Sequence, residues 1–253
     1  MTFDVAGKAY GKFMGRFSEP LAERFVDFAG VTAGQRALDV GCGPGALTAR
    51  LAGRLGTQNV AAVDPSEPFV AAARERLPEV DVRRGVAEEL PFDDDTFDAA
   101  ASQLVVHFMR DPLAGVREMR RVCRDGGTVV LSVWKRDDRG VGPLVPFWRG
   151  VGTAGIRTRG EADLVGTREG QLADLCTRAG LDPQETTVLS VAVRFETFED
   201  WWEPFTFGIG PAGEFVAGLD DDTRERVRAA CAAELGSGSF EVTGDAWAVR
   251  ATA

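Results

Sequence analysis

Apolar residues along this chain recur with a period of two over short stretches and of about 3.6 over longer ones, in regular alternation. Such alternation marks strands buried on both faces separated by amphipathic helices. The apolar runs predict strands at 36–40, 60–63, 80–84, 97–102, 128–134, 187–195 and 240–250. Helical spacing fills the gaps. Leu47, Leu51 and Leu55 share a face, Ser66 opens a second helix, and Leu113, Val116 and Met119 line one side of a third over 112–123. A fourth helix carries Leu172, Leu175, Cys176 and Ala179 behind Thr167 as its N-cap, and a fifth runs over 220–235 to Gly236. One more helix precedes the first strand, with Ser18 as N-cap, Pro20 in the first turn, Leu21, Phe25 and Phe28 on one face, and Gly30 as the stop. The whole reads as a βαβ series, hence an open and mostly parallel sheet covered by helices.

Two stretches break the alternation. Residues 140–166 hold seven glycines with Pro143, Pro146 and Trp148 scattered among apolar positions, which suits an insertion better than a layer of the sheet. Residues 198–215 are rich in aromatic rings. The expected layout is a single domain over 1–253, with a helical cap at 1–35, a core at 36–134, and insertions at 136–166 and 197–218.

Charge and cysteine content narrow the partners. Lys and Arg number 29 against 39 Asp and Glu, a net charge of −10, which repels phosphate backbones and anionic lipid headgroups. No run approaches the roughly 20 apolar residues of a bilayer span, and 1–16 lack a leader pattern. The expectation is a cytoplasmic protein with neither nucleic acid nor membrane as partner. Cys42, Cys123, Cys176 and Cys231 lie far apart without C-x-x-C spacing, and His107 is the only histidine, so no metal site is expected.

The most informative segment is Ala37-Leu38-Asp39-Val40-Gly41-Cys42-Gly43-Pro44-Gly45, an acid near a strand end followed by three glycines two apart and then a helix. Glycines are required where the backbone turns with positive φ or where a ligand lies against the main chain. Gly41, Gly43 and Ala46 also satisfy the dinucleotide pattern G-x-G-x-x-G/A. A pyrophosphate at the helix start is ill matched to a neighbouring carboxylate, whereas a cationic ligand is not. Asp39 therefore favours a cation. Asp64 ends the second strand, where an acid accepts ribose hydroxyls in either class of site, or simply caps the next helix.

Residues 38–45 resemble the first signature of class I S-adenosylmethionine-dependent methyltransferases. The run Gly85-Val86-Ala87-Glu88-Glu89-Leu90-Pro91-Phe92, followed by Phe97-Asp98, is similar to the adenine-side signature of their small-molecule branch. Ser102-Gln103-Leu104-Val105-Val106-His107, Asp111-Pro112, and Arg121-Val122 with Asp125-Gly126-Gly127 match it as well. The likeness spans about 36–134. It implies a three-layer, Rossmann-like open α/β sheet of about seven strands, the last antiparallel, with N-terminal helices and a helical lid insertion. It implies S-adenosyl-L-methionine as cofactor, held at its methionine end by Asp39 and the backbone of Gly41, Cys42, Gly43 and Gly45. Asp64 and Pro65 fall at the ribose, Ala87 and Glu88 at the adenine edge, and Gln103 and Leu104 on the wall from the fourth strand. Where the branch often has an acid on the adenine amino group, this chain has Val86, leaving Glu88 or a main-chain carbonyl for that contact. Tyr10, Phe13, Met14 and Arg16 resemble an amino-terminal opening that closes over the methionine end; a plain helical cap reads equally well.

The resemblance implies methyl transfer to a small-molecule acceptor, in a monomer or homodimer. The chemistry needs positioning and exclusion of water more than an enzymic nucleophile. A hydroxyl or amine acceptor must still lose a proton, and His107 alone has an ordinary pKa suited to that, set against a merely structural histidine. Trp148, Trp201, Trp202, Phe205 and Phe207 form either an apolar, ring-accommodating pocket or a small core beneath a lid. The alternatives kept open are a nicotinamide-dependent reductase, although Tyr10 is the only tyrosine and no Tyr-x-x-x-Lys pair exists, and a binding module without catalysis.

Overall fold

The computed structural model describes residues 11, 13–136, 141–158, 164–208, 210–236 and 238–253. Seven strands form one sheet in the order β3-β2-β1-β4-β5-β7-β6. They are β1 (Ala37–Val40), β2 (Val60–Asp64), β3 (Asp81–Arg84), β4 (Phe97–Gln103), β5 (Cys123–Trp134), β6 (Asp182–Phe195) and β7 (Phe240–Thr252). β1 and β2 are buried along their full length, as their unbroken apolar runs require. The first five strands pair in parallel, while β7 runs antiparallel to both β5 and β6. An antiparallel seventh strand slotted between the fifth and sixth departs from the all-parallel 3-2-1-4-5-6 order of dinucleotide folds.

Helices α1 (Gly15–Ala29), α2 (Ala46–Leu55) and α3 (Glu67–Arg76) cover one face, where Phe25, Val26, Leu51 and Val70 pack on Ala62, Ala99, Ala101 and Val130. Helices α4 (Pro112–Val122) and α6 (Gln171–Arg178) cover the other, with Met119, Val122, Leu172 and Leu175 against Leu38, Val40 and Leu131. A third, aromatic cluster joins α1 to the two irregular stretches. It draws on α5 (Val145–Thr153), α7 (Phe198–Trp202), α8 (Gly210–Ala217) and α9 (Asp221–Leu235).

Several boundaries differ from the sequence expectation, each for a tertiary reason. α1 starts at Gly15, so Ser18 lies inside the helix instead of capping it, and Pro20 falls in its interior. Burial of Phe13 and Phe17 in the aromatic cluster drives this upstream extension, since packing outweighs the local cap grammar. Gly170, not Thr167, caps α6; the buried Thr167 hydroxyl donates to the Leu164 carbonyl at 3.0 Å. β6 begins five residues earlier than its apolar run, at Asp182, because its antiparallel ladder with β7 continues to Thr252.

Candidate cofactor site

In an open α/β sheet the ligand crevice lies beyond the carboxyl ends of the strands where strand order reverses. Here that point is between β1 and β4, and a cavity of about 550 Å³ opens there. Its walls come from the loop after β1, the end of β2 with Pro65 and Ser66, the turn after β3, the end of β4 and one residue of α1.

The glycine turn holds this space open. Gly41 has φ +78°, and a Cβ there would fall 2.4 Å from a Val105 methyl. Gly43 has φ +53°, and a Cβ on it would meet nothing within 4 Å, so its backbone borders free space. Gly45 stands behind the wall as N-cap of α2. The Gly41 and Cys42 amides donate to the Val63 carbonyl at 2.7 and 3.0 Å, fastening the turn to β2.

Two carboxylates flank the turn. Asp39 is 1% exposed and accepts a hydrogen bond from the Thr48 hydroxyl at 2.6 Å. Burial pushes its pKa up to about 7; the Thr48 bond opposes the rise and the Asp64 charge adds to it. Asp64 accepts from the Gly43 amide at 2.9 Å and from the Ser66 amide at 2.8 Å. Burial raises its pKa against those two bonds. A carboxylate offers about four lone-pair sites, so Asp64 clamps the turn and keeps capacity for a ligand. Cys42, buried beside both acids, has its thiol pushed well above the usual range, first by burial.

Ala87 is buried on the wall beyond β3, next to the exposed Val86. Glu88 also lines the cavity and accepts from the Asp111 amide at 3.0 Å, joining this turn to the start of α4. At the end of β4, Gln103 donates through Nε2 to the Ser18 carbonyl at 3.0 Å, while its Oε1 has no partner. Leu104 follows with φ +63°, a left-handed conformation costly for a branched side chain, held by the hydrogen bond its N–H donates to the Ser132 carbonyl at 2.8 Å.

Other expected site residues lie elsewhere. Arg16 pairs with Asp200 of α7 at 3.0 Å and stacks 4.8 Å over Phe195, away from the cavity wall. His107 sits on the turn Val106–Phe108, half-buried, its ring centroid 4.0 Å from that of Phe108; Phe108 lines the cavity and His107 does not. Burial lowers its pKa to about 4, and Nδ1 has no partner. Tyr10 lies outside the described residues. Among the described residues no group of three His, Cys, Asp or Glu could hold a metal, and no helix is long and apolar enough to cross a membrane.

The aromatic residues do not enclose a pocket. Trp201, Trp202 and Phe205 are at most 4% exposed, and Phe205 stacks on Phe147 with centroids 4.6 Å apart and planes 8° from parallel. Phe13 meets Phe205 edge-on at 5.0 Å. Trp148 packs against Phe215, and only Phe207 of the set is exposed. The sequence reading missed Ser18, which lines the cavity; a hydroxyl two positions before a proline looks like a cap, and only tertiary placement shows otherwise.

A cavity of this size, an open glycine backbone, two buried acids and an orphaned amide oxygen suit a cationic nucleoside. They leave no donor-rich cradle for a diphosphate. Residues 38–131 match the family model described as a methyltransferase domain. An uncharacterized methyltransferase of Mycobacterium tuberculosis is 38% identical over 140 residues, covering 55% of this chain and 54% of that protein. The 2-methyl-6-phytyl-1,4-hydroquinone methyltransferase 2 of Oryza sativa is 36% identical over 116 residues, 45% of this chain and 31% of that protein. The chain thus spans about half, or less, of the length of these relatives. A solved S-adenosylmethionine-dependent methyltransferase from Aquifex aeolicus superposes with a TM-score of 0.50 at 22% identity, over 66% of this chain and 82% of that one.

Proposed function

We propose that this protein transfers a methyl group from S-adenosylmethionine to a small apolar or aromatic O, N or C nucleophile by in-line displacement. The observation that carries this reading is the glycine turn between two buried acids, open to a cavity at the β1/β4 switch. When bound, the cofactor supplies an electrophilic sulfonium methyl. Asp39 would meet its positive charge, Asp64 the ribose hydroxyls, and Ala87 with Val86 the flat face of the adenine. The left-handed Leu104 turn belongs both to the cavity wall and to the aromatic cluster, so it joins the cofactor to the water-excluding rings of the cap. Holding acceptor and methyl in line supplies several kcal/mol of barrier reduction without a general base. In this reading His107 packs behind Phe108, since a pKa of about 4 makes it a weak proton acceptor at neutral pH.

The rice relative's name makes hydroquinone-type aromatics the first acceptors to assay. The test is transfer of labelled methyl to a panel of hydroxylated aromatics and quinols, beside calorimetric titration with S-adenosylmethionine. Binding and transfer support the proposal. Binding with no transfer to any acceptor, including a metabolite extract, would leave a binding module in its place.

A further inference from the structure

Ala87 and Glu88 reach the cavity from a turn beyond β3, closed by a bridge between Val86 and Glu89. Such a turn has no helix or strand ladder of its own, so the groups that fasten it decide where its wall stands. At its start the Gly85 amide donates to the Asp64 carbonyl at 3.1 Å. At its far end two side chains of α4, three residues apart, take hold. Glu118 accepts from the Leu90 amide at 3.0 Å. Arg121 donates to the Leu90 carbonyl at 3.1 Å and to the Phe92 carbonyl at 2.9 Å. Its other donors go to Asp94 at 2.6 Å and, twice at 2.8 Å, to Glu118. A guanidinium has five N–H donors, and here each meets an acceptor.

Neither Glu118 nor Arg121 lines the cavity. Their mutual attraction contributes little, because the two side chains are 22% and 31% exposed. The bonds to the main chain matter more. They grip Leu90, a buried residue of the core under α4, by its amide and its carbonyl together. The same helix also approaches the turn directly: a Cβ on Gly115 would fall 3.3 Å from the Ala87 Cβ. Ala87 therefore sits on a short segment tied to Asp64 at one end and to α4 at the other.

We propose that Glu118 and Arg121 are positioning residues of the cofactor site, which set the separation between Ala87 and Asp64 by holding Leu90 and Phe92 to α4. The adenine and the ribose of one nucleoside are then met at the same time. This rests on the S-adenosylmethionine reading above and concerns two residues that never touch the ligand.

The experiment is calorimetric titration of the full chain with S-adenosylhomocysteine well below the melting transition, beside amide hydrogen exchange. Arg121→Lys keeps the charge and loses the planar fork. It is expected to weaken S-adenosylhomocysteine about tenfold, the size of one hydrogen bond to a charged group, and to speed exchange over 86–92. Glu118→Gln keeps an acceptor for the Leu90 amide and should lose about threefold. The double variant should lose no more than Arg121→Lys alone, since both side chains act through one segment. The control is Arg149→Lys, which disturbs the Arg149–Glu234 ion pair between α5 and α9 and is expected to lower the melting temperature without changing affinity. Parent-like affinity in Arg121→Lys would overturn the proposal, as would an equal loss in Arg149→Lys. If the parent itself does not bind S-adenosylhomocysteine, the cofactor reading fails and the clamp with it; if the parent binds and the variants match it, the clamp alone is wrong.

Discussion

The two structures built on the carboxyl edge of this sheet are opposites. Around β1, β2 and β4 the backbone is kept bare by glycines and two acids are buried beside a cavity of about 550 Å³. Around the end of β5, α5 and α7 the large buried rings pack on one another, with Phe205 stacked on Phe147 and Phe13 edge-on to Phe205. Bare backbone and buried acids beside a cavity suit a ligand, whereas closely packed rings are the ordinary way to stabilise a small cap. The difference teaches that the two halves are built on different principles, bare backbone and buried acids around a cavity in one and packed rings in the other.

The largest effect should come from the filled half. Trp202→Ala, at a residue 4% exposed between Phe198 and Phe205, is expected to cost about 3–5 kcal/mol of stability. Denaturant unfolding checks it; a loss below about 1 kcal/mol would mean the rings line a pocket after all.

The open half should respond in affinity instead. Asp39→Asn is expected to weaken S-adenosylmethionine on the order of a hundredfold while raising the stability of the ligand-free protein at pH 8. The sign follows from the raised pKa of about 7: the protonated acid is favoured in the fold, so its stabilising contribution is complete below about pH 4 and is lost as pH climbs through 7. Because the ionised form is the one that attracts a cation, cofactor affinity should rise between pH 6 and 8. A flat profile in the parent, or a slope that survives in Asp39→Asn, would contradict this.

A smaller loss, about tenfold in affinity, is expected for Asp64→Ala, which removes the acceptor of the Gly43 amide as well as the ribose partner. Unchanged binding would count against that assignment. The smallest effect is expected at His107. On the proposed mechanism, in which positioning carries the rate, His107→Gln should alter methyl transfer by less than about threefold across pH 6–9. A tenfold or greater drop confined to hydroxyl acceptors would restore it as a base.

Much of the open half was legible because its requirements are local. Positive φ demands glycine at 41 and 43, buried parallel strands demand unbroken apolar runs, and an acid at a strand end is visible in the chain. Asp39, Gly41, Cys42, Gly43, Asp64, Pro65, Ala87, Glu88, Gln103 and Leu104 all fall on the cavity wall. What could not be read depends on distant partners. Arg16 points toward Asp200, 184 positions away, and nothing near it in sequence announces that pairing. Ser18 satisfies a capping rule that Phe13 and Phe17 override by burial. The fate of the rings was open for the same reason, since a pocket and a core have the same composition and differ only in whether the partners meet.

The central claim is that the bare turn between Asp39 and Asp64 receives a positively charged nucleoside. Calorimetric titration of the parent protein at pH 8 with S-adenosylmethionine and, separately, with oxidised and reduced nicotinamide dinucleotides tests it most directly. One-to-one binding of S-adenosylmethionine with no heat from either dinucleotide is the predicted result; saturable dinucleotide binding with none for S-adenosylmethionine would contradict the account.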